Sequence, residues 1–173
     1  YPYYGIYAPQ SSDFGLYVPK MKDSQVGVDE QIAPCDQIKI IPHTKNFNYL
    51  ITAAIPLKDL TKKVARSVII GNTDTVFASQ NNLYVAASDW SGPFWFEYFE
   101  PRTKFFRFAL NPASIEFQAA GEVPGTVLNQ FSMDEHAGYF RVATTEQNRD
   151  LYQSNSVYTF NQNLDTVGKI TGL

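Results

Sequence analysis

Residues 69–88, "IIGNTDTVFASQNNLYVAAS", and residues 123–145, "VPGTVLNQFSMDEHAGYFRVATT", repeat one pattern. Each has a glycine, a short spacer, an apolar strand carrying an aromatic, a polar turn, and an aromatic-led strand of small and β-branched residues. In this alignment Gly71 matches Gly125, Phe77 matches Phe131, and Tyr84 matches Tyr139 or Phe140. Each unit continues with an aromatic strand ("KFFRFALN", "SVYTFNQ") and a more polar fourth strand ending at glycine ("IEFQAAGEVPG", "DTVGKITGL"). A repeated supersecondary unit cannot bury its apolar face alone, so it must stack on its neighbours.

The other segments agree with this pattern. "QIKIIPH", "NYLITAAIPL" and "VARSVIIG" are also short and rich in β-branched residues. No segment keeps a helical period of 3.6, so the chain reads as all-β. Turn signals separate the strands: Asn81 and Asn82 tolerate positive φ, Gly138 adopts it freely, and Pro112 ends a strand because it has no ladder donor. Four antiparallel strands recurring about every 50 residues is the period of a β-propeller blade. Residues 73–125 and 126–173 are then two blades, and 36–72 supply three strands of an earlier one. That makes a partial propeller of about two and three-quarter blades. A self-contained β-sandwich or barrel is the alternative. Residues 1–34, with four prolines, three glycines and scattered tyrosines, read as irregular and extended.

Composition narrows the function. A formal charge of -3 with no dense Lys/Arg block gives no electrostatic footprint for nucleic acid. Cys35 is the only cysteine, so there is no internal disulfide framework. No run approaches the roughly 18 apolar residues of a membrane span. The chain opens on Tyr rather than Met, without a basic-then-apolar leader, and so reads as part of something longer.

"VPGTVLNQFSMDEHAGYFRVATT" followed by "NSVYTFNQNLDTVGKITGL", with "IIGNTDTVFASQNNLYVA" and "YVPKMKDSQVG" upstream, resembles secreted bacterial and archaeal proteins carrying a C-terminal β-propeller distantly related to WD40 repeats. The resemblance implies an envelope or extracellular location and a larger parent protein. It implies no activity and no catalytic or ligand residues.

Three features could carry chemistry or binding. The run Asp134-Glu135-His136 suggests metal ligands or an acid/base group, but neighbouring strand residues alternate faces and converge poorly on one ion. It reads as the polar turn of a hairpin. His43 and Cys35 lack the partners of a metal or nucleophile site, so no catalytic residue, metal or cofactor is assigned. The run "DWSGPFWFEYFEPRTKFF" is denser in aromatics than one two-sided strand can bury, which makes Trp90, Phe94, Trp95, Tyr98 and Phe99 a candidate binding surface.

The expected function is therefore a non-enzymatic binding or assembly module of an exported or envelope protein. Its partners are further propeller sequence, another copy, or another envelope protein. The alternative is a hydrolase, for example a carbohydrate-active one. It would be completed by other blades, with axial acids such as Asp74 and Asp134, while the pair Glu97 and Glu100 is a weak glycosidase signal.

Overall fold

The computed structural model describes residues 18–22, 27, 29–40, 48–71, 73–89, 101–111, 114–147 and 152–173. Among these the only regular elements are strands and two 3-10 turns. The all-β expectation is met, and the two best-formed sheets each contain four antiparallel strands.

The first of these sheets runs β6 (Thr75–Ala78), β7 (Asn82–Asp89), β8 (Arg102–Asn111) and β9 (Ser114–Pro124), paired in that order. The second runs β10 (Met133–His136), β11 (Tyr139–Gln147), β12 (Gln153–Phe160) and β13 (Thr166–Thr171). Each has a bulge where its third and fourth strands pair, after Arg107 in one and after Thr159 in the other. An extra residue kinks a strand and increases its twist. The same defect at the same place makes the two sheets congruent.

Alternation along the strands gives each sheet two different faces. Tyr84, Ala86, Phe105, Ala119 and Val123 of the first sheet pack against Met133, Phe140, Val142, Tyr158, Phe160 and Leu164 of the second. On its other face, Val85, Ala87, Phe106, Phe108 and Ile115 meet Ile69 and Leu50 of an earlier sheet. The sheets stack face to face, and the seams between them are the core.

The earlier sheet departs from the antiparallel pattern. β4 (Tyr49–Ala54) and β5 (Ala65–Ile70) pair antiparallel, but β3 (Ile38–Ile40) joins the far side of β5 in parallel. The matched glycines explain the placement. Gly71 follows β5 and donates its N–H to Asn48 just before β4, as Gly125 follows β9 and donates to Pro101 just before β8. β4 and β5 therefore hold third and fourth places, and β3 is an added outer strand.

The free face of this earlier sheet is covered. A two-stranded hairpin, β1 (Lys20–Lys22) and β2 (Asp29–Gln31), brings Met21 with Val18, Ile32 and Ala33 onto Val68, Ile38 and Tyr49. Arg66 fastens it through an ion pair with Glu30 and a bond to the Ile32 carbonyl. The stack is capped at this end.

Candidate functional site: the seam between the four-stranded sheets

Two polar groups interrupt the apolar seam. The first lies beside the hairpins that join first and second strands. Asn82 closes the β6–β7 turn, where its N–H and carbonyl both engage Ser79. Its buried amide reaches across to the next sheet and donates to both Glu135 oxygens, at 2.9 and 3.1 Å. Its Oδ1 accepts from Arg107 at 2.9 Å. Tyr84 also donates to Glu135, so one carboxylate holds two side chains of the preceding sheet.

Burial pushes the Tyr84 hydroxyl well above the usual tyrosine range. The charge of Glu135 and its hydrogen bond add to this, and Arg107 opposes it. Below the ordinary tyrosine pKa of about 10 both folded and unfolded chains hold this proton, so the contribution to stability is complete. As pH rises from there toward the folded-state pKa, the unfolded chain ionises first and the contribution is lost. Between about pH 8 and about pH 11 the wild type should lose more stability in urea than Tyr84→Phe. Parallel losses in the two proteins would show that Tyr84 does not carry this linkage.

The second polar group lies at the rim. A cleft of about 400 Å³ opens between β9 and β13, lined by Glu122, Val123, Tyr158, Thr166, Gly168 and Lys169. Glu146 beside it accepts from Ser156 at 2.9 Å and from Tyr158 at 3.3 Å, while Arg102 pairs with Glu122. Desolvation, chiefly, raises the Tyr158 hydroxyl above its usual range. The Glu135 group thus joins two sheets, whereas each of these rim pairs lies within one sheet, Arg102–Glu122 in the first and Glu146 with Ser156 and Tyr158 in the second. Among the described residues no three His, Cys, Asp or Glu side chains gather as metal ligands.

The residues singled out from the sequence fall in different places. Trp90, Phe94, Trp95, Tyr98 and Phe99, with His43, Glu97 and Glu100, lie outside the described residues. Asp74 accepts from the Ser88 N–H at 2.6 Å. Asp134 accepts from Arg141 Nε at 2.8 Å, in a forked pair on the next sheet. These recorded bonds hold the two acids to different partners.

The acidic run is on a strand, not in a turn. Met133–His136 form β10, and the turn is Ala137–Gly138, with φ of 51° and 79°. Two successive positive φ values make the hairpin turn whose twist suits antiparallel strands. Phe131, matched to Phe77 by the sequence repeat, is instead in a 3-10 turn, Gln130–Ser132, and is 86% exposed.

Register gives a different alignment. Counting from the two-residue turns and the two bulges, Phe77 facing Tyr84 corresponds to Asp134 facing Arg141, and Asn82 corresponds to Tyr139. Glu135 had no visible role in the sequence, because its partners lie 51 and 53 residues away.

Comparison with known proteins agrees with the repeat and the stacked sheets. An uncharacterized protein of Archaeoglobus fulgidus is 39% identical over 71 residues, covering 41% of this chain and 10% of that protein. An uncharacterized protein of Methanocaldococcus jannaschii is 45% identical over 67 residues, covering 37% of this chain and 10% of that protein. The matched stretch thus spans about a tenth of the length of these curated relatives. No solved structure matches the chain. The model of the beta propeller domain family matches residues 7–173, and the chain belongs to that family.

Proposed function

We propose that this chain is a non-enzymatic assembly module of an exported or cell-envelope protein, contributing propeller blades and presenting rigid loops to a protein or surface polymer. Residues 36–72, 73–125 and 126–173 are its units in this reading. The aromatic run from Trp90 to Phe99 is a further contact surface. The location rests on the resemblance to secreted propeller proteins.

One observation carries the reading. Leu128 and Phe131 are 82% and 86% exposed on the connection between the two four-stranded sheets. They do not project from a slack loop. Asn129 accepts from the Phe131 N–H at 2.9 Å and its carbonyl accepts from Ser132, while Val127 anchors the segment in the core. A preorganised apolar pair loses little entropy on binding, which suits contact rather than catalysis.

The test is the mass of the folded species by light scattering, with mass spectrometry of every polypeptide present. A mass above one copy, or a stoichiometric second polypeptide, is expected. Leu128→Ser with Phe131→Ser should abolish it while changing folding stability by no more than about 0.5 kcal/mol, as exposed substitutions do. A single copy at every concentration would end the proposal.

A further inference from the structure

The cleft between β9 and β13 has a filled counterpart one seam earlier. Gly71 and Gly125 follow the fourth strands of successive sheets, so counting back from them sets Val68, Ile69 and Ile70 in the places of Glu122, Val123 and Pro124. The first three are the residues that β3 pairs, Ile38 with Val68, Lys39 with Ile69 and Ile40 with Ile70. The other three line the cleft, and no described strand pairs with β9 on that side.

The far wall corresponds as well. Phe117 and Thr166 hold the same place beside the two bulges, paired with Phe108 and Phe160. At the filled seam the Lys39 ammonium lies over the Phe117 ring, 4.1 Å from its centroid, so β3 bonds one sheet and touches the next. At the open seam Thr166 replaces the ring, and Lys169 also lines the cleft, without an ion-pair partner among the described residues. A lysine entering here would meet Lys169, whereas a carboxylate would pair with it and accept from the Thr166 hydroxyl.

The backbone edge is available for pairing. Gly125 donates inward to Pro101, so the alternate residues Glu122 and Pro124 turn their backbone groups outward. Glu122 offers an N–H and a carbonyl, while Pro124, in the place of Ile70, offers a carbonyl alone. One ladder donor fewer suits a strand that binds and leaves rather than a resident one.

Building on the assembly reading, we propose that the outer edge of β9 takes an extended segment of a partner polypeptide. It adds in parallel, as β3 adds to β5, and sets an acidic side chain opposite Val123 toward Lys169 and Thr166. Main-chain bonds to Glu122 and Pro124 supply affinity, and the acidic side chain selects the partner. The β3 strand of a second copy is the wrong occupant, because it carries Lys39 at that position.

The probe is an end-blocked peptide, Thr-Val-Thr-Glu-Thr-Val-Thr, titrated into the 173-residue chain while amide exchange at Glu122 is followed by NMR. Exchange there should slow about tenfold or more as the N–H enters a ladder. A peptide with lysine at its centre should bind about fivefold more weakly, since attraction is exchanged for repulsion at an exposed pair. Lys169→Glu should reverse that order. Pro124→Ile, which returns the missing donor, should tighten binding about fivefold.

No slowing at Glu122 with the peptide at about 1 mM overturns the proposal, and so does equal binding of the two peptides. Protection at Glu122 before any peptide is added means that this chain fills its own edge, or, where dilution removes it, that a second copy does. Either result overturns the proposal. Leu128→Ser with Phe131→Ser leaves the β9 edge whole, so a failed titration is distinguishable from a failed mass measurement.

Discussion

Phe140→Ala is expected to destabilise the fold by about 3–5 kcal/mol, the range for removing a fully buried ring. Phe140 is 1% exposed and stands where both four-stranded sheets meet. It stacks on Tyr84 and Phe160, and Phe105 meets it edge-on at 5.5 Å. These neighbours belong to three strands on two sheets, so they cannot collapse into the space without shearing one sheet over the other. Equilibrium urea unfolding measures the cost. A loss below about 1 kcal/mol would mean that the seam is loosely packed, contrary to the large cavity penalty expected of a close-packed core. The exposed Phe131 is the internal control, since Phe131→Ala should leave stability nearly unchanged.

Gly125→Ala should cost about 3 kcal/mol through two additive causes, a left-handed backbone and overpacking. Gly125 has φ of 84°, and a Cβ there would lie 2.7 Å from the Thr145 carbonyl oxygen and 2.8 Å from Glu146 Cγ. The oxygen belongs to the backbone of the next sheet, bonded to Thr126, and cannot swing away. Gly172→Ala separates the two causes. That glycine has φ of 77° with nothing within 4 Å, so only the conformational cost, about 1–2 kcal/mol, should appear. Equal losses at the two glycines would remove the close approach from the explanation.

Much of the architecture was legible because its cause is local. β-branched and aromatic runs broken by Asn, Gly and Pro specify strands without reference to distant residues. The glycine match of Gly71 with Gly125 holds for the same reason, since each ends a fourth strand and bonds to the residue before a third. The match of Phe77 with Phe131 failed because aromatic spacing is not register. A two-residue turn at Ala137–Gly138 and a 3-10 turn before Met133 shift the strand by several residues. Phe131 leaves the strand and Asp134 takes the pairing position. β3 was recognisable as a strand, but its parallel partner β5 lies beyond the intervening strand β4 and leaves no trace in local sequence. Glu135 could not be selected from its acidic neighbours, because only the seam shows that it alone turns toward Asn82 and Tyr84.

The exchange of an aromatic pair for an ion pair between otherwise congruent sheets has a consequence for order. Blades of a repeat protein share strand lengths, bulges and backbone path, so any one could stack on any other at little cost in shape. A phenol on the buried face of one sheet and a guanidinium at the same place on the exposed face of the next make the two faces chemically unlike. A sheet laid against the wrong neighbour would leave a charge facing a ring with no acid, or an acid facing no donor, and unpaired buried charge is costly. The side chains at this one strand position thus distinguish two faces that the backbone alone leaves alike.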